Sequence, residues 1–236
     1  MTTQPDATRK GHIDTLILAL KTGATSATDI WAKLDGLWIL AAHEEDTAKL
    51  NWISTSFGIT LTDAPTFAVD QGYTTDGSND SVDLNYNTAS SSLSQTNSAT
   101  FFIRIHNNTQ HSSGVAGNYN GTGGQSINPR NASDQVQYRI NQSAVTTVNT
   151  QTDARGLVLV TRTASNVVEA YRDGTSIGAN TTGSTVEVSA NLRLGTTNGT
   201  FHAQRFSAAG AGAGLNDAEA LDLSNAVNAY LTAVGA

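Results

Sequence analysis

The sequence predicts a mainly β protein: a sandwich of two antiparallel sheets, with helices before it and one helix after it. Three observations carry that expectation. Apolar residues recur with period two through the middle of the chain, in short runs separated by Gly, Asn, Ser and Thr. Charged residues are 14% of the 236, against about 25% in ordinary soluble domains, and small polar residues fill the difference. The two ends of the chain instead carry apolar residues at helical spacing. The expected organisation is a helical region over 1–60, a sandwich over 61–212 and a packed helix over 213–236.

In "HIDTLILALKTG" the residues Ile13, Leu16, Ile17 and Leu20 share one helical face. "SATDIWAKLDGLWILAAH" reads as a second helix, with Ser26 and Asp29 as a capping-box-like start and Ile30, Leu34, Leu37, Trp38 and Ala41 as its stripe. "EEDTAKLNWI" adds a short helical turn. The tryptophans Trp31, Trp38 and Trp52 all fall here and are expected to pack these helices on a larger body.

From about residue 66 the period becomes two. "ATFFIRIH" sets Phe101, Ile103 and Ile105 against Phe102, Arg104 and His106. "QVQYRI" sets Val136, Tyr138 and Ile140 against Gln135, Gln137 and Arg139. "GLVLVTR" is apolar on both faces and reads as a central strand, while "TVEVS", "NLRLG" and "FHAQRFS" read as further strands. The longest polar stretch, "NNTQHSSGVAGNYNGTGGQSINPRNAS", reads as a loop. "AAGAGAG" reads as a flexible linker. The last helix follows, with Asn216 as N-cap, Glu219 three residues on, a stripe of Leu223, Val227, Tyr230, Leu231 and Val234, and Gly235 as its stop.

The stretch "VVEAYRDGTSIGAN" admits two readings. Gly174 to Gly178 matches the G-x-S-x-G pattern of a hydrolase nucleophile elbow, which needs a helix directly after Ser176. No helix pattern follows. Asp173-Gly174 between strand-like runs is instead a two-residue hairpin signal, because a type I′ turn needs positive φ at both central positions. Ser176 therefore belongs to a return strand and is not a nucleophile.

Other chemistry is narrowed by composition. With no cysteine there are no disulfides or thiolate sites. A net charge of −7 without a basic block argues against nucleic acid. No apolar run approaches the ~18 residues of a membrane span, and "MTTQPDATRKGHIDT" lacks the apolar core of a signal peptide, so no secretory route is expected. Sequons such as Asn120-Gly121-Thr122 are read as by-products of composition. Glu44, Glu45, Glu169, Glu187 and Glu219 lack an acidic partner at the spacing of a glycosidase strand. "HEEDT" lacks the second histidine of a zinc motif, and "GAGAG" lacks the setting of a dinucleotide loop. In "TDGSNDSVDLN", Asp76, Asn79, Asp80 and Asp83 are hard oxygen donors and the candidate ligands for a structural calcium. No other cofactor is expected.

The C-terminal half, "GLVLVTRTASNVVEAYRDGTSIG" with "LRLGTTNGTFHAQRFSAAGAGAGLNDAEALDLSNAVNAYL", resembles concanavalin A-like (laminin G-like) jelly-roll domains. The N-terminal stretches around "IWAKLDGLWILAAHEEDTAKLNWIS" and "APTFAVDQGYTTDGSNDSVDLNYN" are similar to proteins of tailed phages and prophages that carry this jelly roll. The resemblance implies a non-enzymatic virion surface protein made in the host cytoplasm, either capsid decoration or tail fibre. Its implied partners are other virion subunits, repeated copies of itself and surface polysaccharide. Lectins of this superfamily offer sugars an aromatic platform; Tyr73, Tyr86, Tyr119 and Tyr171 are the tyrosines available, with Tyr171 in a packing position. The 106–130 segment is the expected sugar-contacting loop, through His106, His111, Asn118, Tyr119 and Arg130. A polysaccharide-active hydrolase or lyase on the same fold, and a purely structural cement protein, are the alternatives.

Overall fold

The computed structural model describes residues 4–236. The chain opens with helix α1 (Ala7–Thr22), strand β1 (Leu34–Ile39) and a one-turn helix α2 (Glu45–Ala48). Strands β2 (Thr60–Thr62), β3 (Thr66–Ala68), β4 (Gly72–Asp76), β5 (Ser81–Asn87) and β6 (Ala99–Ile105) follow. Then come β7 (Ala116–Tyr119), β8 (Gly124–Asn128), β9 (Gln135–Ile140) and β10 (Thr146–Thr150). Next are β11 (Gly156–Ala164), β12 (Val167–Arg172), β13 (Thr175–Asn180) and β14 (Asn191–Leu194). The chain ends with β15 (Thr196–Thr197), β16 (Thr200–Phe201), β17 (Ala203–Gly212) and helix α3 (Asp217–Val234).

Two antiparallel sheets result. The first runs β13-β12-β11-β6-β17-β4-β3, with β1 added beside the second half of β17; the second runs β10-β9-β8-β7-β14-β5-β2. Between the sheets lies a core that includes Trp38, Tyr73, Tyr86, Phe101, Tyr138 and Phe206. A second apolar cluster lies between the outer face of the first sheet and the two long helices. The molecule is thus three layers: helices, first sheet, second sheet.

The period-two reading explains this layering strand by strand. Phe101, Ile103 and Ile105 of β6 enter the inter-sheet core, while Phe102 turns to the helices. In β11, Val158 and Val160 face one core, Leu157 and Leu159 the other, as a strand covered on both sides requires. The hairpin at 173–174 is a two-residue turn with φ of 47° at Asp173 and 81° at Gly174, and Ser176 sits exposed on β13 beside Glu169. Asn216 and Glu219 form a reciprocal capping box at α3, and Lys33 Nζ donates to Glu219 Oε1 at 2.6 Å, tying that helix to the start of β1.

Four expectations are corrected. The second N-terminal helix is a turn of 3₁₀ helix at Trp31–Lys33 followed by β1. From residue 37 to residue 42 it is apolar without interruption, a pattern that a short buried strand shares with a helix, and the helical option loses because alternate residues can reach two cores at once. Leu37 and Ile39 face the helices; Trp38 and Leu40 face the second sheet. Trp38 therefore packs between the sheets, its indole donating to Phe57 O at 2.7 Å, whereas Trp52 meets Tyr230 of α3 edge-on. The "AAGAGAG" linker is instead the buried end of β17. "TVEVS" forms no strand; Val186 is 77% exposed and only Val188 turns inward. The long polar loop holds β7 and β8 as a hairpin.

Two buried charges fasten the layers. Arg162 is fully buried and donates to backbone carbonyls of Ile140, Ser165 and Thr182, joining β11 to β9 in the opposite sheet. Asp35 accepts from Tyr86 Oη at 2.9 Å and from the amides of Leu93 and Ser94. Each satisfies its hydrogen bonds without a counter-ion, which is the condition for a tolerable buried charge.

The glycines of β17 are set by close approach. A Cβ on Gly210 would overlap the Phe102 ring and press on Gly36 O, and one on Gly212 would overlap Lys33 O and Leu34 Cα. Gly210→Val is expected to cost at least about 3 kcal/mol by denaturant titration. Gly11→Ala, in open space on α1, is expected to gain about 0.5–1 kcal/mol in the same assay. Equal, small effects of the two would contradict this packing.

Candidate functional site

The two sheets differ in what covers them. Helices α1 and α3 bury the outer face of the first sheet, whereas the outer face of the second carries no helix. Because Ala116, Ile127, Val136 and Tyr138 point inward, the alternate residues Gly117, Ser126, Gln137 and Arg139 point outward. On this face two adjoining clefts of about 340 Å³ and about 270 Å³ share Tyr119 and Asn198 as walls. A wider apolar depression by Leu50 and Trp52 has no titratable side chain and offers no comparable chemistry.

Tyr119 stands between the clefts because β7 ends in a tight turn. Asn120 Oδ1 accepts from the Thr122 and Gly123 amides, and Tyr119 Oη donates to Gly121 O at 2.8 Å, so the turn fixes the ring. Opposite Tyr119 lies Gly124 and opposite Ser126 lies Gly117, so neither glycine fills the groove. Gly117 has φ of 136°, and a Cβ there would overlap the β8 backbone. Across this floor the Arg139 guanidinium carbon sits 3.8 Å from the Tyr119 ring centroid. From the other side the β15–β16 hairpin contributes Thr197 and Asn198. In the second cleft Arg193 is paired with Asp83 at 3.1 Å.

Behind the first cleft lies a polar layer. Ser113, on its wall, is 2.9 Å from His202 Nε2, and His202 meets His111 edge-on with centroids 4.8 Å apart. Burial, and then the facing His202, lowers His111 to about 4. Burial lowers His202 as well. Both rings are therefore neutral near pH 7, and His111 Nε2 is buried without a hydrogen-bond partner.

Of the sugar contacts expected from sequence, the structure brings Tyr119 to the clefts and keeps most others away. Asn118 is buried at the edge of the second cleft, where its amide donates to Ala190 O and its carbonyl accepts from Gln125 N. It supports the floor. His111 is one layer behind the wall, and Asn128 donates to its carbonyl. His106 ends β6 in the first sheet, where burial and then Arg104 and Arg205 lower it to about 4. Arg130 pairs with Asp134 at 2.7 Å. Neither His106 nor Arg130 lines a cleft. Tyr73, Tyr86 and Tyr171 are buried.

The candidate calcium ligands do not converge. Asp76 accepts from the Ser78, Asn79 and Asp80 amides, which hold its carboxyl below the usual range; Asp80 accepts from Ala64 N; Asp83 serves Arg193 and Asn191. Among the described residues no three His, Cys, Asp or Glu side chains gather as a metal site. Arg139, Arg193 and Thr197 were not singled out by sequence. The sequence marks the two arginines as outward-facing, Arg139 in "QVQYRI" and Arg193 in "NLRLG"; the pairing of β7 with β14 that completes the site is non-local.

No protein-family model matches the chain, and no curated protein matches it. Solved structures do. A sialidase of Trypanosoma rangeli, in complex with 2,3-difluorosialic acid as a covalent intermediate, aligns with a TM-score of 0.60 and 12% identity over 91% of this chain and 38% of that one. Domain 4 of an extracellular GH43 arabinanase from Geobacillus stearothermophilus, in complex with arabinotriose, aligns at 0.51 and 14% over 80% of this chain and all of that domain. The binding domain of botulinum neurotoxin serotype D aligns at 0.57 and 10% over 83% of this chain and 52% of that one. These likenesses define the class of fold, a jelly-roll-like β-sandwich. This chain spans little more than a third of the length of the sialidase.

The buried histidines set a pH dependence. Unfolded histidine titrates near ~6.5, whereas folded His106 and His111 stay neutral to about 4. The unfolded chain thus binds more protons between these values, so stability is full above the upper one and falls as pH drops toward the lower. Thermal melts are expected to fall by about 5 °C or more over this range, and His111→Phe is expected to flatten the slope. A pH-independent melt would refute the buried, neutral assignment.

Proposed function

We propose that this protein is a non-enzymatic glycan-binding sandwich displayed on the surface of a tailed-phage virion, as capsid decoration or tail fibre. The observation that carries the binding half of this reading is the open polar groove centred on Tyr119. A sugar ring presents apolar C–H faces and equatorial hydroxyls, so a site for it combines one aromatic surface with fixed donors and acceptors. Tyr119 supplies the first; Ser126, Gln137, Thr197 and Asn198 supply the second. An arabinanase domain in complex with arabinotriose and a toxin binding domain among the structural neighbours lend support.

The virion placement rests on the resemblance of the N-terminal segments to tailed-phage proteins. Its partners are neighbouring virion subunits and host or environmental polysaccharide, with many copies converting weak single-site binding into avidity. The non-enzymatic reading is supported by the lining: neither cleft is lined by a carboxylate, whereas most retaining glycosidases place two about 5–5.5 Å apart.

One observation favours a polysaccharide-active enzyme instead. Ser113 and His202 form a hydroxyl–imidazole pair at the cleft wall, an arrangement suited to ester cleavage on a decorated polysaccharide. Incubation with host polysaccharide, assayed for reducing ends and released acyl groups, distinguishes the two; release abolished in Ser113→Ala would establish the enzyme.

Loss of one stacking surface is worth about 1 kcal/mol or more. Tyr119→Ala is therefore expected to weaken polysaccharide binding about tenfold in affinity electrophoresis, with the melting temperature little changed. Undiminished binding by that variant would place the ligand elsewhere.

A further inference from the structure

The charge on the cleft runs against the charge of the molecule. The chain has 20 acidic and 13 basic residues, yet the residues lining the two clefts include two arginines and no carboxylate. Arg193 is already paired with Asp83. Arg139 is not. Its contacts are the Tyr119 ring and a 3.3 Å hydrogen bond from Nη1 to Ser143 O; Nε is buried without a partner, and Nη2 has none either.

A second group on the same wall is also unsatisfied. Thr197 is nine-tenths buried, lines the first cleft, and its hydroxyl has no hydrogen-bond partner. Arg139 Nε and Thr197 Oγ1 are themselves buried, so the unpartnered donor of this wall that a ligand can reach is Arg139 Nη2. The guanidinium is held against Tyr119, which limits its rotation and leaves Nη2 for an acceptor in the cleft.

Resting on the glycan-binding reading above, we infer that the ligand of this cleft is an acidic sugar whose carboxylate pairs with Arg139. Arg139 holds the carboxylate through Nη2, and the open part of the Tyr119 ring meets the adjoining sugar. A charge-assisted pair of this kind is roughly twice as strong as a neutral hydrogen bond. The unpaired arginine would also reject a cationic sugar.

The test uses the full chain and a panel of oligouronates and sialylated oligosaccharides, each beside its carboxyl-reduced neutral counterpart. Binding is read by calorimetry in low and high salt. The expected result is about tenfold tighter binding of the acidic members, a preference weakened by salt, abolished in Arg139→Gln and partly kept in Arg139→Lys. Arg155→Gln, at a distant exposed pair with Asp153, is the matched control for surface charge. Equal binding of acidic and reduced members, unchanged in Arg139→Gln, would overturn the acidic-sugar inference while leaving the glycan reading intact. A preference for sulfated over carboxylated sugars in a follow-on pair would overturn the carboxylate assignment. Binding of no member, acidic or neutral, would overturn the glycan reading itself.

Discussion

The close approach of three backbones around β17 is the constraint on which the rest depends. Gly210 and Gly212 leave room for the Phe102 ring and for the start of β1, and Gly36 lies under the Trp38 indole. Side chains at these positions would push β1 out of the first sheet. Without β1 the helix layer loses Leu34, Leu37 and Ile39, three of the apolar side chains on which α1 and α3 rest. Backbone packing at a few glycines thus decides that one face of the sandwich is closed.

That closure determines where function can reside. Once the first sheet is covered on both sides, the second sheet presents the one sheet face of the described residues without a helix over it. Around the clefts alternation sorts its strands: the inward set fills the core, and the outward set includes Gly117, Ser126, Gln137 and Arg139, with Arg193 paired to Asp83 beside them. Such a face is too polar to recruit an apolar partner by burial and too sparsely charged to hold nucleic acid. It suits a hydroxylated ligand, and the Tyr119–Arg139 stack fixes where on the face that ligand would sit.

Local patterns made much of the fold legible. The alternation of β6 and β11, the Asp173-Gly174 turn and the Asn216–Glu219 capping box each carry their own physical signature within a few residues. The segment 34–39 did not, because the apolar run that begins at Leu37 satisfies both helical and strand periods until the second core is known. "AAGAGAG" misled for the opposite reason: small residues signal flexibility in isolation, but here they signal close strand contacts. The site was less legible. Tyr119 is legible as the tyrosine of a polar segment, while His106 and Arg130 share that segment but project elsewhere. Arg139, Thr197 and Arg193 reach Tyr119 through strand pairings between residues far apart in sequence, which no local pattern encodes.

The most direct test of the central claim, that the uncovered face of the second sheet is the ligand surface, is amide chemical-shift mapping. Isotopically labelled protein would be titrated with fragmented host-surface polysaccharide. The account predicts shifts confined to β7, β8, β9 and the 196–200 hairpin, with α1, α3 and the 173–174 turn silent. Shifts centred on the helix layer or on the turns at the ends of the sandwich, with the Tyr119 and Arg139 amides unmoved, would contradict it.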